Sequence, residues 1–116
     1  MRNPVSDVRY EELVSWSEGQ ELPAFWAYLR ADFVDFGDRR EAFLWILRRL
    51  LEEQRVELVN LQTHEALAGT IDQQIIRFKA AFPKNEEEMN NGIWFFTEAC
   101  PGGAAWRPSA TVNSSG

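Results

Sequence analysis

Apolar residues recur along the chain at two spacings. From about residue 7 to residue 54 they return every third or fourth position, the period of one face of an α-helix. Around Val56–Val59 and again at Ile93–Thr97 the runs are short and rich in β-branched or aromatic residues, which predicts strands. The first helix is expected from Asp7 to Glu18. Ser6 caps it, Asp7 suits the positive end of the helix dipole, and Tyr10, Leu13, Val14 and Ser17 share a face that Gly19 ends. A second helix is expected from Leu22 to Phe36, with Pro23 in the first turn, where no backbone donor is needed. Phe25, Trp26, Leu29, Phe33 and Phe36 fall on one side of it, and Gly37 stops it.

The third helix carries the strongest pattern. Asp38 and Glu41 form a capping-box-like pair, and Phe43, Leu44, Ile46, Leu47, Leu50 and Leu51 then cover a broad arc, so this is read as the central core helix. Trp45 points the other way, among Glu41, Arg48, Arg49 and Glu52. A fourth helix opens with Thr70 and Gln73 as a capping box, runs along Ile71, Ile75, Phe78 and Phe82, and stops at Pro83. Asn85 with Glu88 caps one further turn through Met89. Asn60–Gly69 reads as an irregular connection. Cys100-Pro101-Gly102-Gly103 reads as a turn whose glycines supply positive φ, and Ala104–Trp106 as a returning strand. The predicted fold is mainly α (α+β): about four helices packed around a central one, with a small antiparallel β element near the C-terminus. Residues 1–107 are expected to form one domain, and the Ser-, Thr- and Gly-containing stretch 108–116 a flexible tail.

Composition narrows the function classes. A chain of 116 residues buries enough surface to fold without a disulfide or metal. Its single cysteine, Cys100, cannot form an internal disulfide, which fits a reducing compartment. The N-terminus shows no apolar signal-peptide core, and the most apolar stretch, Ala42–Leu47, is cut off by Arg48 and Arg49 far short of a bilayer span. A soluble, cytoplasmic protein is expected. Eighteen acidic residues against twelve basic ones give a net charge of -6, which argues against nucleic acid or anionic membrane as partner and favours a basic protein. The plainer effect of such a charge is solubility.

Candidate chemistry is sparse. His64, Glu98 and Cys100 are the residue types of a cysteine-nucleophile site, but nothing in the pattern brings His64 to Cys100, and a surface histidine with a turn cysteine is the preferred reading. Glu86-Glu87-Glu88 lacks the alternation and central glycine of a calcium loop and suits a helix start. Gly102-Gly103 lacks the Lys-Ser/Thr of a phosphate loop. No catalytic residue, metal site or cofactor is assigned. Of the five tryptophans, Trp45 alone departs from the core pattern: it either packs beneath a C-terminal hairpin or serves as a binding anchor. The candidate partner-binding residues are Trp45 and the carboxylates Asp32, Asp35, Glu86, Glu87, Glu88 and Glu98.

Several of these runs occur together in order: Glu41-Ala42-Phe43-Leu44-Trp45, Gly69-Thr70-Ile71, Phe78 to Pro83, Glu86 to Met89, Trp94-Phe95-Phe96, and Cys100-Pro101-Gly102-Gly103 ending at Trp106. In this the chain resembles small bacterial proteins of domain of unknown function 596, over roughly residues 8 to 107. The family carries no catalytic motif to transfer. Its members are associated with toxin–immunity loci of the contact-dependent-inhibition type. The resemblance therefore implies a cytosolic immunity protein that binds and neutralises a cognate toxin domain, expected to be a nuclease with a basic surface. The alternative is a non-catalytic adaptor or structural subunit, homodimeric in one form.

Overall fold

The computed structural model describes residues 4–107. In chain order these form α1 (Asp7–Ser17), α2 (Leu22–Leu29), α3 (Phe36–Glu52), β1 (Val56–Val59), α4 (Ile71–Ala81), α5 (Glu86–Met89), a 3-10 helix (Asn90–Phe96) and β2 (Gly103–Trp106). The class is mainly α with a two-stranded antiparallel sheet, as the periodicity predicts. The expected tail, 108–116, lies outside the described residues.

Local chemistry sets most of the helix starts. The Ser6 hydroxyl accepts the Arg9 N–H at 3.1 Å, and the buried face of α1 is Tyr10, Leu13, Val14 and Ser17, the four residues expected. Thr70 and Gln73 close a reciprocal capping box on α4, and Asn85 caps α5 by accepting the Glu88 N–H at 2.9 Å. The boundary between α2 and α3 differs from expectation. Helix α2 ends at Leu29, and Gly37 lies inside the first turn of α3. The cause is Asp35, which accepts the Asp38 N–H at 3.0 Å and so starts α3 three residues earlier than an Asp38/Glu41 box would. Phe36 thus belongs to α3. The carbonyls of Phe33 and Val34, freed by the break, accept hydrogen bonds from Arg39 at 2.8 Å each, a tertiary contact with no local signature.

Helix α3 runs through the middle of the core. Ala42, Phe43, Ile46, Leu47 and Leu50 are each at most 2% exposed. Trp26 of α2 sits in an aromatic cluster with Phe36, Phe43, Phe82 and Phe95, ring centroids 5.4–6.4 Å apart, mostly tilted or edge-on, the favourable arrangements.

The segment expected as a strand at Ile93–Thr97 is instead the 3-10 helix. Trp94 and Phe95 are both buried while Ile93 and Phe96 are both exposed, a three-residue period that a strand's alternation cannot produce. Left-handed backbone at Asn90, Asn91 and Gly92 turns the chain into it. The partner of β2 is therefore β1 alone among the named strands, in the register Val56↔Trp106 to Val59↔Gly103. Gly102 and Gly103 are needed for close approach rather than for positive φ: a Cβ on Gly102 would lie 2.7 Å from the Val59 carbonyl oxygen, and one on Gly103 would collide with Leu61.

Candidate interaction surface

The side of α3 that turns away from the core is organised around Trp45, which is half-buried. Its ring meets Tyr10 of α1 edge-on, with centroids 6.3 Å apart and planes at 82°. Tyr10 of α1 is thus one wall of its environment, and Ile75 and Lys79 of α4 share a depression with it. Three and four residues on, Arg48 and Arg49 fall on the same helical face. The Arg49 guanidinium lies 4.0 Å from the Tyr10 ring centroid and 5.7 Å from that of Trp45, and Arg55 approaches the Tyr10 ring at 5.6 Å.

Carboxylates hold these cations in place. Arg49 pairs with Asp7 at 2.9 Å and Glu53 at 2.8 Å, Arg55 with Glu11 and Glu53 at 2.9 Å each, and Arg48 with Asp72 of α4 and, at 3.9 Å, Glu52. The Tyr10 hydroxyl donates to Glu53 at 2.9 Å. Burial pushes the Glu53 carboxyl pKa up, but hydrogen bonds from Arg49 and Tyr10, with the charges of Arg55 and Arg49, outweigh it and hold the group below the usual range. Burial, then the bond to Glu53, raises the Tyr10 hydroxyl.

The result is layered. An aromatic floor carries a tier of guanidinium groups, and the outermost charges are carboxylates: the side chains of Asp7 and Asp72 are 79% and 71% exposed, against 24% for Arg49. Trp45 and Arg48 separate two depressions of about 350 Å³ each. One is lined by Asp7, Arg49, Glu52 and Glu53, and the other, more apolar, by Pro4, Glu41, Leu44, Ile75 and Lys79.

The other candidate carboxylates are dispersed, and most already have a partner. Both Asp32 carboxylate oxygens accept from Arg9, one from Nε at 2.7 Å and one from Nη2 at 3.2 Å. Asp35 caps α3, Glu86 pairs with Arg39 at 3.0 Å, and Glu88 accepts the Lys84 N–H at 3.0 Å. Arg39 brings the chain next to Asp35 up to Glu86 by bonding Val34 and Glu86 together. Glu87 is exposed on α5, and Glu98 lines a separate depression with Cys100, Phe96 and Asn60–Gln62. Trp45 lies six residues from Arg39, roughly 240° around α3, so the two groups face different directions. His64 does not line the depression that Glu98 and Cys100 share. Burial pushes the Cys100 thiol up to about 11, so it stays protonated at neutral pH, donating to the Gly102 carbonyl at 3.3 Å, and is a poor nucleophile. The sequence spacing of Trp45, Arg48 and Arg49 signalled the ridge. Tyr10, Glu53 and Arg55 join it from 43 to 45 residues apart, a pairing with no local signal.

A small, mainly helical protein with a two-stranded sheet and an aromatic–arginine ridge on its central helix is the class these observations define. The family described as "Protein of unknown function, DUF596" matches residues 51–109, just over half of the chain, and the chain belongs to that family. The match begins after the Glu41–Trp45 run. In three dimensions the chain is similar to an uncharacterized protein conserved in bacteria, from Neisseria meningitidis. The identity is 24% and the TM-score 0.76, covering 89% of this chain and 82% of that one, a likeness of fold. No curated protein matches. No helix among the described residues is long and apolar enough to cross a membrane.

Proposed function

We propose that this protein is a non-catalytic binding protein of the immunity type, acting in the cytoplasm by holding a toxin domain inactive, and that the Trp45 ridge is its contact surface. The observation that carries the reading is a tryptophan left half-exposed on the central helix, stacked among tyrosine and arginine. Those three residue types dominate interface hot spots. The exposed rim of carboxylates around it, on a chain of net charge -6, suits a basic partner, and a nuclease domain is the member of that class preferred here.

The test is growth protection. Cells expressing a cognate toxin domain should be rescued by the wild-type protein and not by a folded Trp45→Ala variant. Rescue by that variant as complete as by wild type would remove the ridge from the account. A second reading, self-association as a structural subunit, is favoured by Ile93 and Phe96, which are 54% and 58% exposed on a different surface. Sedimentation of the wild-type protein as a stable dimer, dissociated by Phe96→Ser, would support that reading instead.

A further inference from the structure

Away from the Trp45 ridge, α2, α5 and the turn at Asn90–Gly92 border a partly open cavity of about 180 Å³, lined by Pro23, Trp26, Ala27, Arg30, Glu86 and Asn91 with Arg39. The Arg39 side chain is only 2% exposed. A guanidinium carries five N–H donors. Here Nε donates to the Phe33 carbonyl, Nη2 to the Val34 carbonyl, and Nη1 faces both Glu86 oxygens, at 3.1 and 3.0 Å. Every Arg39 nitrogen thus has a partner, and Nη2, with two hydrogens and one acceptor, has a second N–H to offer a ligand. That N–H belongs to a charged side chain that lines the cavity.

The rest of the cavity indicates what would match it. The guanidinium lies 5.0 Å from the Trp26 ring centroid, so the wall beside the charge is an indole face, continued by Pro23 and Ala27. Arg30 also lines the cavity and makes no ion pair among the described residues. Two guanidinium groups therefore face one carboxylate, Glu86, a local excess of positive charge on an acidic protein. The far wall is fixed by backbone conformation. Asn90, Asn91 and Gly92 have φ of 52°, 55° and 91°, and a Cβ on Gly92 would lie 3.2 Å from the Pro23 Cβ. Only glycine lets this turn close so tightly against the cavity wall, and runs of left-handed residues concentrate at ligand clamps and switches.

We propose that this cavity binds a small monocarboxylate with a short aliphatic stem: the carboxylate accepts from Arg39 and pairs with Arg30, and the stem lies on Trp26, Pro23 and Ala27. The volume is that of on the order of six waters, enough for one such acid. The site is independent of the toxin-binding reading.

The probe is sodium butyrate, titrated into the full-length ¹⁵N-labelled protein with sodium chloride at matched ionic strength as control. Saturable shifts are expected at the Arg39 Nε–H and the Trp26 indole N–H. Arg30→Gln, at an exposed position, should weaken binding about fivefold, the size of effect a partly solvated ion pair supplies. Ala27→Trp, also at an exposed position, should block the cavity and remove the saturable shifts while the rest of the spectrum stays dispersed. Shifts no larger than those in sodium chloride, or an unchanged midpoint in Arg30→Gln, overturn the proposal.

Discussion

The two sides of α3 are made of different materials. Toward the interior, Ala42, Phe43, Ile46, Leu47 and Leu50 are sealed from water and held by shape. Toward the exterior, Trp45, Arg48 and Arg49 are half-buried and held by charge, each arginine shared between carboxylates from more than one element. Removing one side chain from the first side leaves a cavity that close-packed neighbours fill only in part. Removing one from the second leaves groups that water or a partner's side chains can take over. The inner side therefore carries stability. On the proposed function, the outer side carries recognition.

This contrast predicts unequal responses to mutation. The largest is at the core: Leu47→Ala, at a residue 1% exposed, should destabilise the fold by about 2–5 kcal/mol in chemical denaturation. A loss below about 0.5 kcal/mol, the range of surface changes, would place Leu47 outside the core and erase the contrast. A smaller effect, about 1 kcal/mol, is expected for Asp35→Ala, which removes the cap that starts α3. Asp38→Ala should cost less than that; the reverse order would restore the boundary the sequence pattern suggested.

Smaller still is the pH response of the charged side. The folded Glu53 carboxyl titrates below its ordinary value. Its contribution is then present above the unfolded pKa and is lost as pH falls through the lower folded one. The stability difference between wild type and Glu53→Gln should accordingly be constant near neutrality and shrink below about pH 4.3. A difference that grows on acidification would contradict the assignment. The smallest effect is expected at the cysteine: Cys100→Ala should leave growth protection intact, since its thiol is buried and protonated. Loss of protection by a folded Cys100→Ala protein would bring back a chemical role.

Much of this was legible in the residues and some was not, for identifiable reasons. Capping is a local code. Ser6, the Thr70/Gln73 box and the Asn85 cap could be read from sequence because donor and acceptor lie within three residues. The same code misplaced the start of α3, because Asp35 and Asp38 are both good caps and the choice between them is made by Arg39, whose bonds to Phe33 and Val34 hold the chain in the broken form. The 3-10 helix was hidden by composition. Ile93-Trp94-Phe95-Phe96 has strand-like propensity, and what overrides it is the left-handed Asn90–Gly92 turn together with burial of two consecutive rings. At the candidate surface, Trp45 stood out because it broke the helical stripe. The carboxylates proposed beside it were chosen by charge alone, and Asp32, Asp35, Glu86 and Glu88 prove to be engaged in holding the fold. Of the carboxylates around Trp45, Glu41 and Glu52 follow from the spacing along α3, whereas Asp7 and, through Arg48, Asp72 arrive by the packing of α1 and α4.

On the proposed function, recognition runs through Trp45 rather than through the acidic turn at α5. The most direct test of that route is the dissociation rate of the proposed complex with a cognate toxin domain, measured by surface kinetics at two salt concentrations. Trp45→Ala should raise that rate at least about tenfold at both salts, as loss of a hot-spot anchor does. Replacing Glu86, Glu87 and Glu88 together with lysine should change mainly the association rate and its salt dependence. A dissociation rate unchanged by Trp45→Ala, with binding abolished by the triple replacement, would contradict the account and move the interface to α5.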